Sequence, residues 1–561
     1  MSQRNYSQIL RRAREEKRPI LLSFGGAWCP ESRVFLTIQR EDGEESAFLR
    51  SAAEKMGVDA RRFTAALTPE GKVFYCTGSL TAPLLRALEQ KWRNDPAELC
   101  AVADALEEDL FPSRRTSEGI RRLREKADSR ISDRVGAVLY LLRAAALEGD
   151  RSLRLMAEED LSRLARSGIH DHIGGGFFAG TQDQEWLVPI YEKRLSDNAL
   201  LAYVYTEAWQ QGHMAFYRDT AEGCLDYCLE RLGREDGLFS AGQTVLSEEE
   251  NPYLLTPEDL KALLGEEDGK HFGECYDVLP EGNTEGRSIP NLLLNRRWNL
   301  LPEGYEDFRE TVREWRAERG GVYTDSRAPL GQNALLLAAL AKAAWVYGDR
   351  RYLSAAQTLS QTLEKDCCRS LFFEDRADYC FALLELYRAD RMPGHLLRAV
   401  TLAESILRGF ADGEGGYCRS SEKKEPTPAG DELSRSLGLW SLTLWELARL
   451  TGDRAFRDAG EKLTADMRAR PGKYALPGLP GLLPLCGGGR LLCLTSPEEG
   501  VPPLWHTLAG RYDPALSVLL KTPARAGILA AALPHTEGLS CDTSAVYTRQ
   551  AEGWSKPLPL D

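Results

Sequence analysis

The chain has 561 residues, more than one ordinary core organises, and its 43% hydrophobic and 28% charged content is that of a globular protein in water. Its 71 Lys and Arg against 84 Asp and Glu give a formal net charge of −13, which argues against general nucleic-acid or anionic-membrane binding. No apolar run approaches the roughly 18 residues of a membrane span. The charged N-terminus lacks the apolar core of a signal peptide, and thirteen scattered cysteines without a C-x-x-C pair read as reduced thiols. The expectation is a cytoplasmic protein whose partner is a small molecule or another protein.

In chain order, a charged helix precedes RPILLSFG, a run suited to a buried strand, and WCPES then reads as a turn into a helix. FTAALTPEGKVFYCTG predicts two strands joined by a Pro-Glu-Gly turn, followed by a helix through LLRALEQKW. Residues 1–110 are therefore expected to form a small α/β domain.

From about residue 115 to 470 the pattern changes to helices, many apolar on nearly all faces. Helix, turn and second helix recur at LYLLRAAALEGDRSL, VYTEAWQQGHMAF, LAKAAWVYGDRRY, LELYRADRMPGHL and LWELARLTGDRAF. Leu153, Phe216, Tyr352 and Phe456 each follow a glycine by four residues, as expected if Gly149, Gly212, Gly348 and Gly452 are left-handed helix C-caps. A Gly-aromatic echo recurs as GGGF at 174, DGLF at 236, GGVY at 320 and GGYC at 415. Repeated hairpins imply a solenoid or a closed toroid. First helices tend to open with polar groups, Asp133, Asp197 with Asn198, Asn333 and Asp378, which serve either as plain N-caps or as the polar rim of one mouth of a toroid. Beyond residue 488, RLLCLTS, PPLWHTLAGRY, ALSVLLKT and TSAVYTRQ read as strand, helix, strand, strand.

The stretch 169–198, IHDHIGGGFFAGTQDQEWLVPIYEKRLSDN, concentrates glycines, a tryptophan and ionisable groups between two helical segments. Such a polar loop is either a site or a loop tied down by its own side chains.

Over nearly its whole length the chain resembles the thioredoxin-domain proteins related to the spermatogenesis-associated thioredoxin-like protein. The likeness is carried by RPILLSFGGAWCPESRVF, GGGF, EKRLSDNA, GNTEGRS near 282 and DYCF near 378. It implies a multidomain α+β protein: a thioredoxin-like α/β domain over 1–110, an all-α (α/α)6 toroid over 111–487 similar to six-hairpin glycosidases and sugar 2-epimerases, and a small α/β element over 488–561. The chain departs from the family pattern at several points. The family's second redox cysteine is Ser32 here, so Cys29 has no resolving thiol. Arg62 stands where a cis-proline is expected, Phe178 and Ile190 replace family histidines, GQTVLS around Gln243 replaces an acidic segment, and Gln332 with Asn333 replaces a Trp-Asn helix start.

Sugar-processing toroids work with carboxylates or histidines that flank a glycosidic bond or remove a proton beside a carbonyl. Asp171, Glu192 and Asp197 are the candidate catalytic acids, although Lys193 and Asp197 are spaced to pair with each other. Candidate ligand-binding residues are His172, Gly174, Gly175, Gly176, Trp186, Lys193, Asn198, Asn333, Asp378 and Tyr379; Trp186 stacks on a sugar face or packs in the core. Cys224 and Cys228, and His170 with His172, lack a third ligand, so no metal is expected. No nucleotide, serine-hydrolase or zinc-protease motif has a supporting context, and no cofactor is expected. Three functions remain: a toroid binding a sugar or similar polar ligand with degenerate redox chemistry, an active carbohydrate hydrolase or isomerase, and a thiol-linked adaptor capturing a protein partner through Cys29 of the thioredoxin-like domain.

Overall fold

The structure, a computed structural model, describes chiefly residues 12–24, 32–40, 62–110, 130–247, 251–422, 431–469 and 489–559, less isolated positions within these stretches. The chain divides into two compact units, Met1–Lys126 with Ala469–Tyr474, and Ala127–Arg468 with Ala475–Asp561.

In the first unit, β1 (Ile20–Phe24) runs parallel to β2 (Leu36–Arg40) and antiparallel to β3 (Phe63–Leu67), which pairs antiparallel with β4 (Val73–Thr77). The sheet order is β2-β1-β3-β4, and α1 (Ala82–Asn94) and α2 (Pro96–Leu110) follow. Alternation along the strands explains the core. Ile20, Leu22, Ala65 and Leu67 fill one cluster, while Leu21, Ala66 and Phe74 fill the other, so both faces of the sheet are covered. The helix expected after WCPES gives way to strand β2. Residues 25–35 are fewer than the dozen or more that a helical crossover between parallel strands takes.

The second unit opens with α3 (Ile131–Glu148) and α4 (Arg151–Arg166), then β5 (Glu192–Arg194), α5 (Leu195–Gly212) and α6 (Ala215–Arg231). Next come β6 (Gly242–Val245), α7 (Pro257–Leu264), α8 (Glu266–Tyr276), α9 (Tyr305–Arg319) and β7 (Val322–Asp325). The antiparallel sheet β5-β6-β7 was not expected from the sequence. The hairpins then resume with α10 (Leu330–Tyr347) and α11 (Arg350–Arg369), α12 (Phe373–Asp390) and α13 (Pro393–Phe410), and α14 (Asp431–Thr451) and α15 (Arg454–Ala469).

Each described hairpin pairs a helix buried on all sides with an amphipathic one. In α10 nearly every side chain from Asn333 to Ala344 is buried, whereas α11 buries a single stripe through Tyr352, Ala356, Leu359 and Leu363. The buried helices pack in sequence, α3 on α5, α5 on α10, α10 on α12 and α12 on α14, and α14 returns to α3. The five described hairpins thus form a closed ring. Gly149, Gly348 and Gly452 adopt the positive φ expected of C-caps. In the α5–α6 hairpin His213 (φ 49°), and not Gly212, takes that conformation, and Arg391 (φ 62°) does so in the α12–α13 hairpin. The residues four after the glycines, Leu153, Phe216, Tyr352 and Phe456, are buried.

The C-terminal strands form as expected: β8 (Arg490–Thr495), parallel to β9 (Leu516–Lys521) and antiparallel to β10 (Ala545–Gln550). Helix α16 (Pro503–Ala509) precedes β9 and α17 (Ala526–Ala532) follows it. These elements belong to the second unit and seat on the late turns of the inner helices. Gln210 Nε2 donates to the Ala509 carbonyl at 2.6 Å, and the Leu520 amide donates to the Tyr387 hydroxyl at 3.0 Å. Among the described residues no helix is long and apolar enough to cross a membrane.

Candidate functional site

The glycine-rich loop that dominates the sequence is held by its own side chains. Asp171, buried between helices α4 and α5, accepts the Lys193 ammonium at 2.7 Å and the Arg316 guanidinium at 2.8 Å, and also the amides of Ile173 and Gly174. Burial alone would raise its pKa, but the two cations hold the carboxyl far below the ordinary range. An acid so committed has no proton to exchange near neutrality. Lys193 lies on β5, not on a helix with Asp197, so the i,i+4 pairing expected from spacing does not occur. Its ammonium also donates to the Gly175 carbonyl and sits 4.6–5.1 Å from the ring centres of Phe178, Tyr227 and Tyr253.

The other candidates in this loop are equally occupied. His172 Nε2 contacts the Ser167 carbonyl at 3.1 Å and His170 Nδ1 the Ala165 carbonyl at 3.0 Å; burial pushes both imidazoles down, so both are neutral. Gly175 and Gly176 have φ of 73°, and a Cβ on Gly176 would lie 2.7 Å from the Tyr227 ring and 2.9 Å from Asn198 Oδ1. Gly174 lies just as close to Asp171. The glycines thus admit protein atoms. Trp186 is buried with Arg134 and Arg163 over its ring at 4.9 and 5.9 Å, and Tyr379 bonds to Ser360.

Two members of the Gly-aromatic echo, GGGF and DGLF, share a physical cause. Asn198 takes the Phe177 amide on Oδ1 at 2.6 Å and gives Nδ2 to the Phe177 carbonyl; Asn333 holds both backbone groups of Phe239 in the same way, at 2.8 and 3.0 Å. Both asparagines are the fourth residue of an inner helix, α5 or α10. They are clamps between a helix and a loop, the loop before α5 for Asn198 and the loop after α6 for Asn333, which corrects their assignment as ligand groups or N-caps. The N-cap residues of α3, α5, α10 and α12 are Arg130, Arg194, Pro329 and Phe372, and none makes a side-chain cap bond.

What remains is a cluster on the first turns of the inner helices. Asp197 on α5 is 3% exposed, and its Oδ2 has no hydrogen-bond partner. Burial lifts its pKa to about 6, against the pull of Arg194 and Arg435, with Glu192 and Glu432 adding to the rise. Asp378 on α12 is fully buried; Ser436 donates to its Oδ2 at 2.9 Å and its Oδ1 has no partner. Burial lifts it to about 8 against the pull of Arg435 and Ser436, with Glu374 and Asp375 raising it further. Arg435 on α14 is itself buried, acts on both aspartates, and has an unpartnered Nε. Gln332 on α10 reaches Glu432 on α14 at 3.5 Å, and Asp375 takes the Gly331 amide at 2.8 Å. Four inner helices therefore bring their polar first turns to one end of the ring.

Of the expected catalytic acids, Asp197 lies in this cluster, Glu192 stands at its half-exposed edge paired with Arg194 at 2.8 Å, and Asp171 lies outside it as a structural ion-pair centre. Asp378 joins it. Arg435, Glu374 and Glu432 were missed; their only signal was the polar opening DELSRS of α14 and the FED that begins α12. Cys29 lies outside the described residues. Ser32, which stands where the resemblance leads one to expect a second redox cysteine, uses its hydroxyl to take the amides of Val34 and Phe35 and to donate to Glu89 at 2.6 Å. Among the described residues no group of three or more His, Cys, Asp or Glu is placed to hold a metal ion.

No family model matches the chain. In sequence it is related to Spermatogenesis-associated protein 20 of Rattus norvegicus, 26% identical over 389 residues covering 58% of this chain and 49% of that protein. The Homo sapiens protein of the same name is 26% identical over 381 residues, covering 56% and 48%. The relationship expected from the motifs is borne out, and the chain spans about half the length of the curated relatives it matches. Among solved structures it is similar to a cellobiose 2-epimerase from Bacillus thermoamylovorans, with TM-score 0.39 and 10% identity over 60% of this chain and 76% of that one. A sugar epimerase from a ruminal bacterium gives TM-score 0.41 and 9% identity over 61% and 76%.

Proposed function

We propose that the helical ring binds a polar, hydroxyl-rich ligand of the sugar class at the N-terminal ends of its inner helices, through Asp197, Asp378 and Arg435. The observation that carries this reading is that two buried carboxylates each keep an oxygen without a protein partner beside one buried guanidinium. A buried polar group left unpaired costs about 1–3 kcal/mol, and a ligand that supplies its partners recovers that energy. With one acid lifted to about 6 and the other to about 8, Asp197 accepts and Asp378 donates at neutral pH. Vicinal hydroxyls offer both halves of that pattern.

The same split in protonation favours a second reading, an active carbohydrate hydrolase or isomerase in which Asp197 is the base and Asp378 the acid. The ring then corresponds to a six-hairpin toroid of which five hairpins are described. The strand order β2-β1-β3-β4 supports a thioredoxin-like first unit. With Ser32 occupied as a turn-building hydroxyl, that unit serves as a docking module for a protein partner and not as a dithiol oxidoreductase.

A thermal-shift panel of mono- and disaccharides, sugar phosphates and polyols tests the proposal, with Asp197→Ala and Asp378→Ala beside the parent. A ligand at 100 times its dissociation constant stabilises the parent by about 2.7 kcal/mol, and the shift disappears in both variants. A parent that responds to nothing in the panel, or variants that respond as the parent does, would overturn it.

A further inference from the structure

At the opposite ends of the inner helices lies a second concentration of buried charge, closed over by the C-terminal sheet. Arg143 on α3 grips Glu207 on α5 at 2.7 and 3.1 Å, and Tyr512, which precedes β9, donates to Glu207 at 2.7 Å. Arg388 on α12 pairs with Glu385 of its own helix and with Glu446 on α14. Lys342 on α10, 7% exposed, reaches Glu207 at 3.5 Å, and Arg449 on α14 donates to the Ala515 carbonyl.

These residues line a cavity of about 40 Å³, enough for a few atoms and far too small for a sugar, since about 10–15 Å³ holds one water. Arg511 and Asp513 also reach its edge; Arg511 is exposed, and Asp513 pairs with Arg490 at 2.6 Å. The buried and half-buried set is then four cations, Arg143, Lys342, Arg388 and Arg449, against three carboxylates, Glu207, Glu385 and Glu446, with Asp513 also acting on Arg449 from the edge. Two donors on the lining, Trp345 Nε1 and Arg449 Nε, have no partner. Two acceptors, Glu385 Oε2 and Gln210 Oε1, are also unpartnered and call for a water beside whatever fills the rest. Burying an uncompensated positive charge is costly, and an anion bound among these groups removes that cost.

We propose that this chamber binds one small monovalent anion, of the halide or formate class, held by Lys342, Trp345 Nε1 and Arg449. The anion completes the ionic core on which the C-terminal sheet rests and is independent of any ligand at the other end of the ring. Burial pulls the Lys342 ammonium down against Glu207 and Glu385, and a bound anion acts in the same sense as those two carboxylates.

The test is a bromide titration of the full chain at constant ionic strength, with gluconate as the replacing anion and melting temperature as the readout. Crystals grown in bromide then supply the anomalous signal. The parent gains stability along a saturable curve and shows a bromide peak within hydrogen-bonding reach of Lys342 and Trp345. Lys342→Met abolishes both, and Trp345→Phe, which keeps the ring and removes the donor, raises the bromide midpoint roughly tenfold. A melting temperature indifferent to bromide with no peak in the chamber overturns the proposal, as does an unchanged midpoint in Trp345→Phe. A saturable response with the peak elsewhere also overturns it.

Discussion

The two ends of the ring treat buried charge in opposite ways. At the late turns of the inner helices Glu207 meets Arg143, Lys342 and the Tyr512 hydroxyl, and its carboxyl is held down at about 2 because the cations outweigh its burial. At the first turns Asp197 and Asp378 have one cation acting on both, and burial wins, lifting them to about 6 and about 8. The first arrangement ties each of its carboxylates into an ion pair beneath the C-terminal sheet. The second leaves acceptor and donor capacity unused, which a protein retains at a cost in stability when something else uses it.

Substitutions that remove one carboxylate at each end break the comparison most severely. Glu207→Gln leaves Arg143 and Lys342 buried without their counter-charge and is expected to cost about 3–5 kcal/mol in denaturant unfolding. Asp197→Asn is expected to change stability by less than about 1 kcal/mol, in either direction, because it removes a charge the fold never paired. Equal losses would mean that the two ends are alike.

The pH dependence sharpens the same contrast. A carboxyl whose folded pKa is raised binds more protons in the native state than in the unfolded one, so its contribution is full below about pH 4 and is lost as pH rises through about 8. The Asp378 contribution is therefore lost between pH 5 and 8, and it shows most cleanly above about pH 6.5, because the neutral His170 and His172 add stability with rising pH below that value. Asp378→Asn should flatten that slope by up to about 1.4 kcal/mol per pH unit, one proton's worth. Unfolding free energies measured at four pH values decide it. A smaller effect is expected from Glu432→Gln, which removes an anion that raises Asp197: stability changes by less than about 0.5 kcal/mol, while the Asp197 midpoint falls.

Local pattern carried much of the fold. The strands at RPILLSFG, FTAAL and KVFYCT, the hairpins with their glycine caps and the C-terminal strands all declare themselves through runs and turns of a few residues. The site was harder to see because its members are far apart in sequence. Asp197, Asp378 and Arg435 meet only when the ring closes, and no period or motif around Arg435 marks it as different from any other helix arginine. The loop 169–198 misled in the opposite sense. Its wealth of polar groups is local, and they satisfy one another: Asp171 with Lys193, Asn198 with Phe177, the histidines with backbone carbonyls. Ser32 shows the same economy, since its hydroxyl takes the amides of Val34 and Phe35 just before β2.

The most direct test is to read Asp197 and Asp378 themselves, by carboxyl-carbon NMR of aspartate-labelled protein from pH 4 to 10, assigned with the two Asn variants. Midpoints near 6 and near 8, both moving when the stabilising saccharide is added, are the predicted result. Two carboxyls that titrate near the ordinary aspartate value and ignore every saccharide would contradict the account.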